Sequence, residues 1–311
     1  MSVSVIIPTY NAKDLLADLL ARLSFQSISF ELVIIDSSST DGTAELAKEA
    51  ADTFISIPKH TFDHGGTRTL AAKAAKGNLL VFLTQDALPI EQDTLETLLH
   101  AFHDPTVGAA FGRQIPYENT SLFGKHLRYF NYPKNSYTRA FTDKKHYGLK
   151  TTFFSDSFGA YRKSVLAEAG WFKNGLIVGE DMYVIANILM AGYKVAYQAD
   201  AAVLHAHNYS LLEDFKRYFD TGVFHKRESW LIDTFGKAEG EGGRYIKSEF
   251  HFLLKEKAYQ KIPEFIMRNG LKYLGYTFGK NYQHIPLKIT KMLSMHPQWW
   301  QSNLPHPHEK N

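Results

Sequence analysis

Asp86 follows the apolar run Leu79-Leu80-Val81-Phe82-Leu83, with only Thr84 and Gln85 between. Such a run reads as a buried strand. A carboxylate at its end is costly unless it meets a cation or a ligand. Asp36 ends a second run, Leu32-Val33-Ile34-Ile35. His205 and His207 stand two apart at the end of a third, so they share a face. Two imidazoles so placed could share a metal or line a phosphate site. Glu180 and Asp181 follow Gly179 and open a helical pattern. Acids there commonly meet the helix dipole. His64-Gly65-Gly66-Thr67-Arg68 offers backbone amides and a guanidinium, both suited to a diphosphate, with Arg68 favoured over His64. An ordinary strand-to-helix connection is the plainer alternative for that stretch.

The elements that carry these residues alternate. "VSVIIP" reads as a strand and "NAKDLLADLLARLSFQ" as a helix, with Asn11 as its N-cap. "FELVIIDSSS" and "TDGTAELAKEAA" repeat the pair, the second helix opened by Thr40 or Asp41. "TFISIP" is a third strand. "GGTRTLAAKAAKG" is a helix entered through two glycines and left through Gly77, and "NLLVFLTQ" is a fourth strand. Such alternation implies an α/β fold with a mostly parallel sheet and helices on both faces. Ligands of such sheets bind beyond the carboxyl ends of the strands, where Asp36 and Asp86 sit. Residues 116–150 read as irregular, aromatic and polar. Beyond residue 208 helical periodicity takes over, interrupted by "GKAEGEGG" (236–243), which reads as a linker. The aromatics of "HPQWW" look exposed. The expected organisation is a domain over 1–207 and a helical extension over 208–311.

Composition removes several classes. There is no cysteine among the 311 residues, so disulfides and thiolate chemistry are absent. A net charge of +3 is too mild to argue for nucleic acid. The start "MSVSVIIPTYN" does not read as a signal peptide. No apolar stretch suits a membrane span, so the chain reads as cytoplasmic. The turn "IIPTYNAKDLL" lacks G-x-G-x-x-G, which argues against a dinucleotide-binding oxidoreductase. Residues 208–311 hold 16 Lys and Arg against 11 Asp and Glu and are rich in aromatics. That mixture suits either an anionic membrane surface or a solvated helical face.

"SVIIPTYNA", "LVIIDSSSTDGT", "LLVFLTQDA" and "GEDMYVIANILMAGYKV" occur in that order. Together they resemble inverting nucleotide-sugar glycosyltransferases of family 2, with the GT-A fold. "FDHGGTR", "TQDALP" and "HAHNYS" are most similar to the bacterial rhamnosyltransferase branch. The resemblance implies that Pro8, Thr9, Tyr10 and Asn11 contact the nucleoside. It implies that Asp36 accepts from the base or ribose, and that Arg68, Gln85 and Asp86 meet the nucleotide sugar. It implies Mg2+ or Mn2+ on Asp86 with His205, His207 being the alternative ligand. Family members carry Asp-x-Asp at this strand end, whereas Thr84 stands here in place of the first acid. Asp181, beside Glu180, becomes the base for the acceptor hydroxyl. Asp156, Ser157 and Gly159 resemble the segment lining the acceptor side. The implied donor is dTDP-β-L-rhamnose, with a UDP-hexose as the alternative. The implied acceptor is a growing cell-surface glycan or lipid-linked oligosaccharide. A non-catalytic nucleotide-sugar-binding subunit remains the third reading, and the extension could serve peripheral membrane contact or a homo-oligomer.

Overall fold

The computed structural model describes residues 2–237 and 240–302. Four strands come first: β1 (Val3–Thr9), then α1 (Lys13–Leu23), β2 (Glu31–Asp36), α2 (Thr43–Ala50), β3 (Thr53–Ser56), α3 (His64–Ala74) and β4 (Leu79–Leu83). They pair as β3-β2-β1-β4, all parallel, as the alternation requires. Their side chains form a continuous core with Leu16, Leu19 and Leu23 of α1, every one nearly solvent-free. Next come β5 (Leu88–Pro89), α4 (Thr94–Leu99), β6 (Val107–Ile115), α5 (Leu122–Asn131), β7 (Tyr137–Arg139) and α6 (Lys144–Tyr147). β8 (Phe158–Arg162), α7 (Lys163–Glu168), α8 (Glu180–Met190) and β9 (Lys194–Leu204) complete this part. The sheet continues from β4 through β8, β6, β9 and β5. Here the expected parallel order gives way: β8 is antiparallel to β4 and β6, and β9 runs parallel to β6 but antiparallel to β5 and β7. Residues 116–150, expected to be irregular, form α5, β7 and α6. Their order comes from arginine stacked on aromatic faces: Arg139 lies 4.4 Å from the Tyr137 ring centroid and 4.9 Å from that of Tyr147.

Caps differ from expectation. Asn11 does not cap α1; it has a φ of 44°, and its side chain accepts from Thr40 N–H at 2.9 Å. The free N–H groups at the start of α1 are met from the neighbouring loop instead: Ala12 donates to Thr43 Oγ1 at 2.8 Å and Lys13 to Asp41 Oδ2 at 3.2 Å. The two loops at the carboxyl ends of β1 and β2 are thereby stitched together. Asp63, not the glycines, caps α3, accepting from Gly66 N–H at 2.7 Å. Gly65 lies inside the first turn, where a Cβ would fall 2.1 Å from the Lys173 carbonyl. The glycine pair serves close packing rather than a loose phosphate loop.

The chain separates into two compact units. One takes in residues up to Asn174 and Glu180–His207; the other takes in Gly175–Gly179 and the chain from Asn208 onward. The second is helical: α9 (Leu211–Arg227), α10 (Ser229–Phe235), α11 (Glu241–Lys255), α12 (Ile262–Lys280), α13 (Leu287–Leu293) and α14 (Trp299–Ser302). α11 begins inside the stretch expected to be a linker, of which residues 238–239 lie outside the described residues. Ser210 and Glu213 close a reciprocal capping box on α9. Trp300, expected at the surface, is buried against Phe219 and Tyr282, and Trp299 Nε1 donates to the Gly175 carbonyl at 3.1 Å. Glycines let α9 and α12 approach backbone to backbone. A Cβ on Gly279 would fall 1.9 Å from the Phe219 carbonyl, and one on Gly275 2.3 Å from that of Phe215.

Gly275→Ala therefore lowers stability by about 1–3 kcal/mol through overpacking. Gly270→Ala, with nothing within 4 Å of its added methyl, is neutral or stabilising. Urea denaturation followed by circular dichroism separates the two; equal effects would contradict the close crossing.

Candidate active site

Asp86, His205 and His207 meet beyond the ends of β4 and β9, with one ligand atom from each lying within 4.8 Å of the others. His205 Nε2 is 3.5 Å and His207 Nδ1 3.8 Å from Asp86 Oδ2. His205 is buried, and its Nδ1 faces Gln114 Oε1 at 2.9 Å. The Gln114 amide group in turn donates to Ser155 Oγ at 2.9 Å. Gln114 thus accepts the Nδ1 proton, and Nε2 is the nitrogen that faces Asp86 and would ligate a cation. Burial would raise the affinity of Asp86 for a proton. The hydrogen bond and charge of His205, helped by Thr84 and His207, outweigh it and hold the carboxyl well below its usual range. An ionised carboxylate and two imidazoles form a donor set that fits a divalent cation. Tyr117 donates to the Asp86 carbonyl at 2.8 Å and so steadies the backbone.

A second cluster gathers around Arg68. Its Nη1 lies 3.0 Å from Glu180 Oε1, its Nε lies 3.4 Å from Asp156 Oδ2, and Nη1 also donates to the His64 carbonyl at 3.1 Å. All three side chains are buried. Arg68 was expected to contact a diphosphate or sugar; its guanidinium is paired with these carboxylates. Asp156 and Gly159 depart from the acceptor-side expectation in the same way. Asp156 accepts from Tyr161 Oη at 2.7 Å inside the core. Gly159 is packed so that a Cβ would fall 2.5 Å from the Phe154 ring. Ser157 is half-buried, and its carbonyl accepts from Thr84 N–H at 3.3 Å. Asp181 opens α8 beside these acids and accepts from Met182 N–H at 2.7 Å. Burial first, then the Glu180 and Asp156 charges, push the Asp181 carboxyl well above its usual range. Asp156 is raised for the same reasons, with Arg68 opposing.

The ends of β1 and β2 make the third part. Asp36 is fully buried, with its oxygens accepting from Thr9 Oγ1 at 2.9 Å, Ser39 N–H at 2.9 Å and Ser39 Oγ at 2.6 Å. It braces the loop that follows β2 rather than presenting an open acceptor. Gln85 likewise clasps the Tyr10 backbone, accepting from its N–H at 2.9 Å and donating to its carbonyl at 3.4 Å. Tyr10 and Asn11 are exposed, Pro8 is half-buried and Thr9 is buried. The Lys59 ammonium donates to the Tyr10 hydroxyl and sits 4.4 Å from its ring centroid. Gln114, Ser155, Ser39 and Lys59 had not been singled out. Gln114 carried a readable signal, a polar side chain inside the apolar run of β6; the other three show nothing in sequence that marks them.

Residues 4–170 match the model of glycosyl transferase family 2, and the chain belongs to that family. It is a glycosyltransferase. It is 43% identical over 303 residues to the O-antigen chain rhamnosyltransferase RfbN of Salmonella typhimurium, covering 96% of both chains. It is 42% identical over 308 residues to the O-antigen chain rhamnosyltransferase WbaN of Salmonella anatum, again covering 96% of both. Both matches run on through the helical unit. Among solved structures, a mannosyltransferase from Pyrobaculum calidifontis in complex with GDP-Man and Mn2+ superposes with a TM-score of 0.57 at 20% identity, covering 97% of this chain and 85% of that one. S. aureus TarS 1-349 in complex with UDP-GlcNAc superposes with a TM-score of 0.58 at 16% identity, covering 97% and 88%. These likenesses show the fold, the expected GT-A fold.

Removing the one cation from the acid cluster should be severe. Arg68→Met costs about 3–5 kcal/mol at pH 8, where the buried acids lose their counter-charge. Carboxyls with raised proton affinity are neutral at lower pH, so the loss shrinks at pH 5. Urea titrations at the two pH values check this, and an equal loss at both would refute the electrostatic account.

Proposed function

We propose that the protein is an inverting rhamnosyltransferase. It moves L-rhamnose from dTDP-β-L-rhamnose to a hydroxyl of a growing O-antigen-type polysaccharide or its lipid-linked precursor, at the cytoplasmic face of the membrane. The observation that carries the reading is identity above 40% to two O-antigen chain rhamnosyltransferases over nearly the whole chain. The three parts of the site support it.

Asp181 acts as the base. It takes the proton of the acceptor hydroxyl as that oxygen bonds to the anomeric carbon. The bond from that carbon to the diphosphate oxygen breaks on the opposite face, so configuration inverts and no covalent glycosyl-enzyme forms. A carboxylate whose proton affinity is raised by burial and by Glu180 and Asp156 is a stronger base once ionised. Arg68 holds those neighbouring acids in place. Asp86, His205 and His207 would hold a divalent cation, which would offset charge on the departing nucleoside diphosphate. Two imidazole donors favour Mn2+ over Mg2+. Gln114 keeps His205 in the ligating tautomer, and that second contact replaces part of what the missing first acid at Thr84 would supply. Tyr10, Asn11 and the exposed rim above Asp36 receive the nucleoside.

Asp181→Asn should reduce transfer about 10²–10⁴-fold and leave dTDP-rhamnose binding unchanged. The wild-type rate should fall as pH drops through the raised carboxyl range, since the base must be ionised; the same proton load makes the fold more stable at acid pH than at pH 8. Intact transfer by the variant would remove Asp181 from the mechanism. Nucleoside diphosphate release from a donor panel tests the sugar: selective release of dTDP, stopped by EDTA, is expected, and selective release of UDP would overturn the donor. Gln114→Leu should weaken Mn2+ binding about 10–100-fold by calorimetry; unchanged affinity would rule out its part in holding His205.

A further inference from the structure

α12 is inside out. Its buried face carries Arg268 and Lys272, while its exposed face is apolar. Arg268 Nη1 meets Asp214 Oδ2 at 2.6 Å, and Arg268 Nη2 meets Glu264 Oε1 at 2.7 Å. Lys272 sits 5.1 Å from the Tyr245 ring centroid. The outer stripe runs Pro263, Ile266, Met267, Gly270, Tyr273, Leu274 and Phe278, which is helical spacing without a charge. Its large side chains are 44–71% exposed. A soluble helix has the opposite arrangement, and a contiguous apolar stripe of this kind marks an interaction surface.

We propose that this stripe docks the enzyme on an anionic lipid surface. Charge selects that occupant. Leaving aside the buried Arg268 and Lys272, residues 265–302 present Lys280, Lys288 and Lys291 and contain no Asp or Glu. Lys261 and Lys280 stand at the two ends of α12, and Tyr273 is the most exposed aromatic on it. Apolar residues on one face with lysines bordering them is the arrangement that lies in the plane of a bilayer, with lysines reaching phosphate groups and tyrosine at headgroup level. α13 repeats the pattern in short form, with Leu287, Ile289 and Met292 exposed around Lys288. Among the described residues no helix is long and apolar enough to cross a membrane, so the contact is one of lying on the surface. The surface deepens the proposed function, on which it rests for its purpose: a lipid-linked acceptor is met where it is embedded.

The test is vesicle co-sedimentation of the full chain, without donor or acceptor. Phosphatidylcholine vesicles with and without phosphatidylglycerol are compared at low and high salt, with donor hydrolysis assayed alongside. Selective binding to the anionic vesicles, weakened by salt, is expected. The triple variant Ile266→Gln, Tyr273→Gln, Phe278→Gln should bind at least about tenfold more weakly. Lys280→Gln and Lys288→Gln should each weaken binding about fivefold. These positions are exposed, so circular dichroism and donor hydrolysis should match the wild type. Equal binding by the triple variant, or no vesicle binding by the wild type, overturns the proposal. A salt-stable dimer broken by the triple variant, with no vesicle binding, would assign the stripe to a second copy instead. Vesicle binding with selective release of UDP rather than dTDP would leave the docking surface standing and overturn the donor reading alone.

Discussion

One buried guanidinium holds the acid side of the site together. Arg68 projects from α3 between Asp156, on the approach to β8, and Glu180, at the start of α8. Without it, three carboxyls would crowd a space too dry to ionise them together. Its charge lets the chain pack two acids in the core and keep a third, Asp181, at the rim with heightened proton affinity. The arrangement also spends the arginine: a cation neutralised by two carboxylates has little left for a diphosphate. In the proposed mechanism, neutralisation of the leaving group therefore falls to the other cluster.

That other cluster is linked to the first through three consecutive residues. Ser155 accepts from Gln114, which faces His205. Asp156 turns to Arg68. Ser157 accepts from the backbone of Thr84, two residues before Asp86. These residues form the turn ahead of β8, where Phe158 N–H returns to the Ser155 carbonyl at 3.3 Å, so a single short segment carries contacts to both clusters.

Much of the first unit was legible in the sequence. Short β-rich runs ended by Pro8, Asp36 and Asp86 marked the parallel strands because burial and the crossover rule leave few alternatives. The two-residue period put His205 and His207 on one face, and the family resemblance joined Asp86 to them. Partners across long sequence separations were not. Arg68 carries the same signal whether it meets a phosphate or a carboxylate, and only folding brings Asp156 and Glu180 beside it. The resemblance made Asp36 and Gln85 ligand contacts, and the hydrogen bonds their oxygens accept from Thr9, Ser39 and Tyr10 were not legible beside it. Residues 116–150 looked irregular because cation–aromatic stacking has no sequence period. In the helical unit, periodicity gave the helices but not which face turns inward, and α12 reverses the usual rule.

The short excursion Gly175–Gly179 has a further consequence. The chain leaves the first unit at Asn174, spends five residues in the second, and returns at Glu180 before leaving again after His207. The two units are therefore joined at three points of the chain. Gly179 takes a φ of 81° and lies so close to the Phe224 ring that a Cβ would fall 2.8 Å from it. Gly175 is tied to Trp299. The later helices act as the clasp of a closed loop whose exit leads straight into Glu180 and Asp181. Cutting the chain at residue 208 would release that loop and return its closure entropy to the start of α8. The helical unit thus begins in the chain before Glu180, and a truncation after residue 207 would leave Gly175–Gly179 without the helices they pack on.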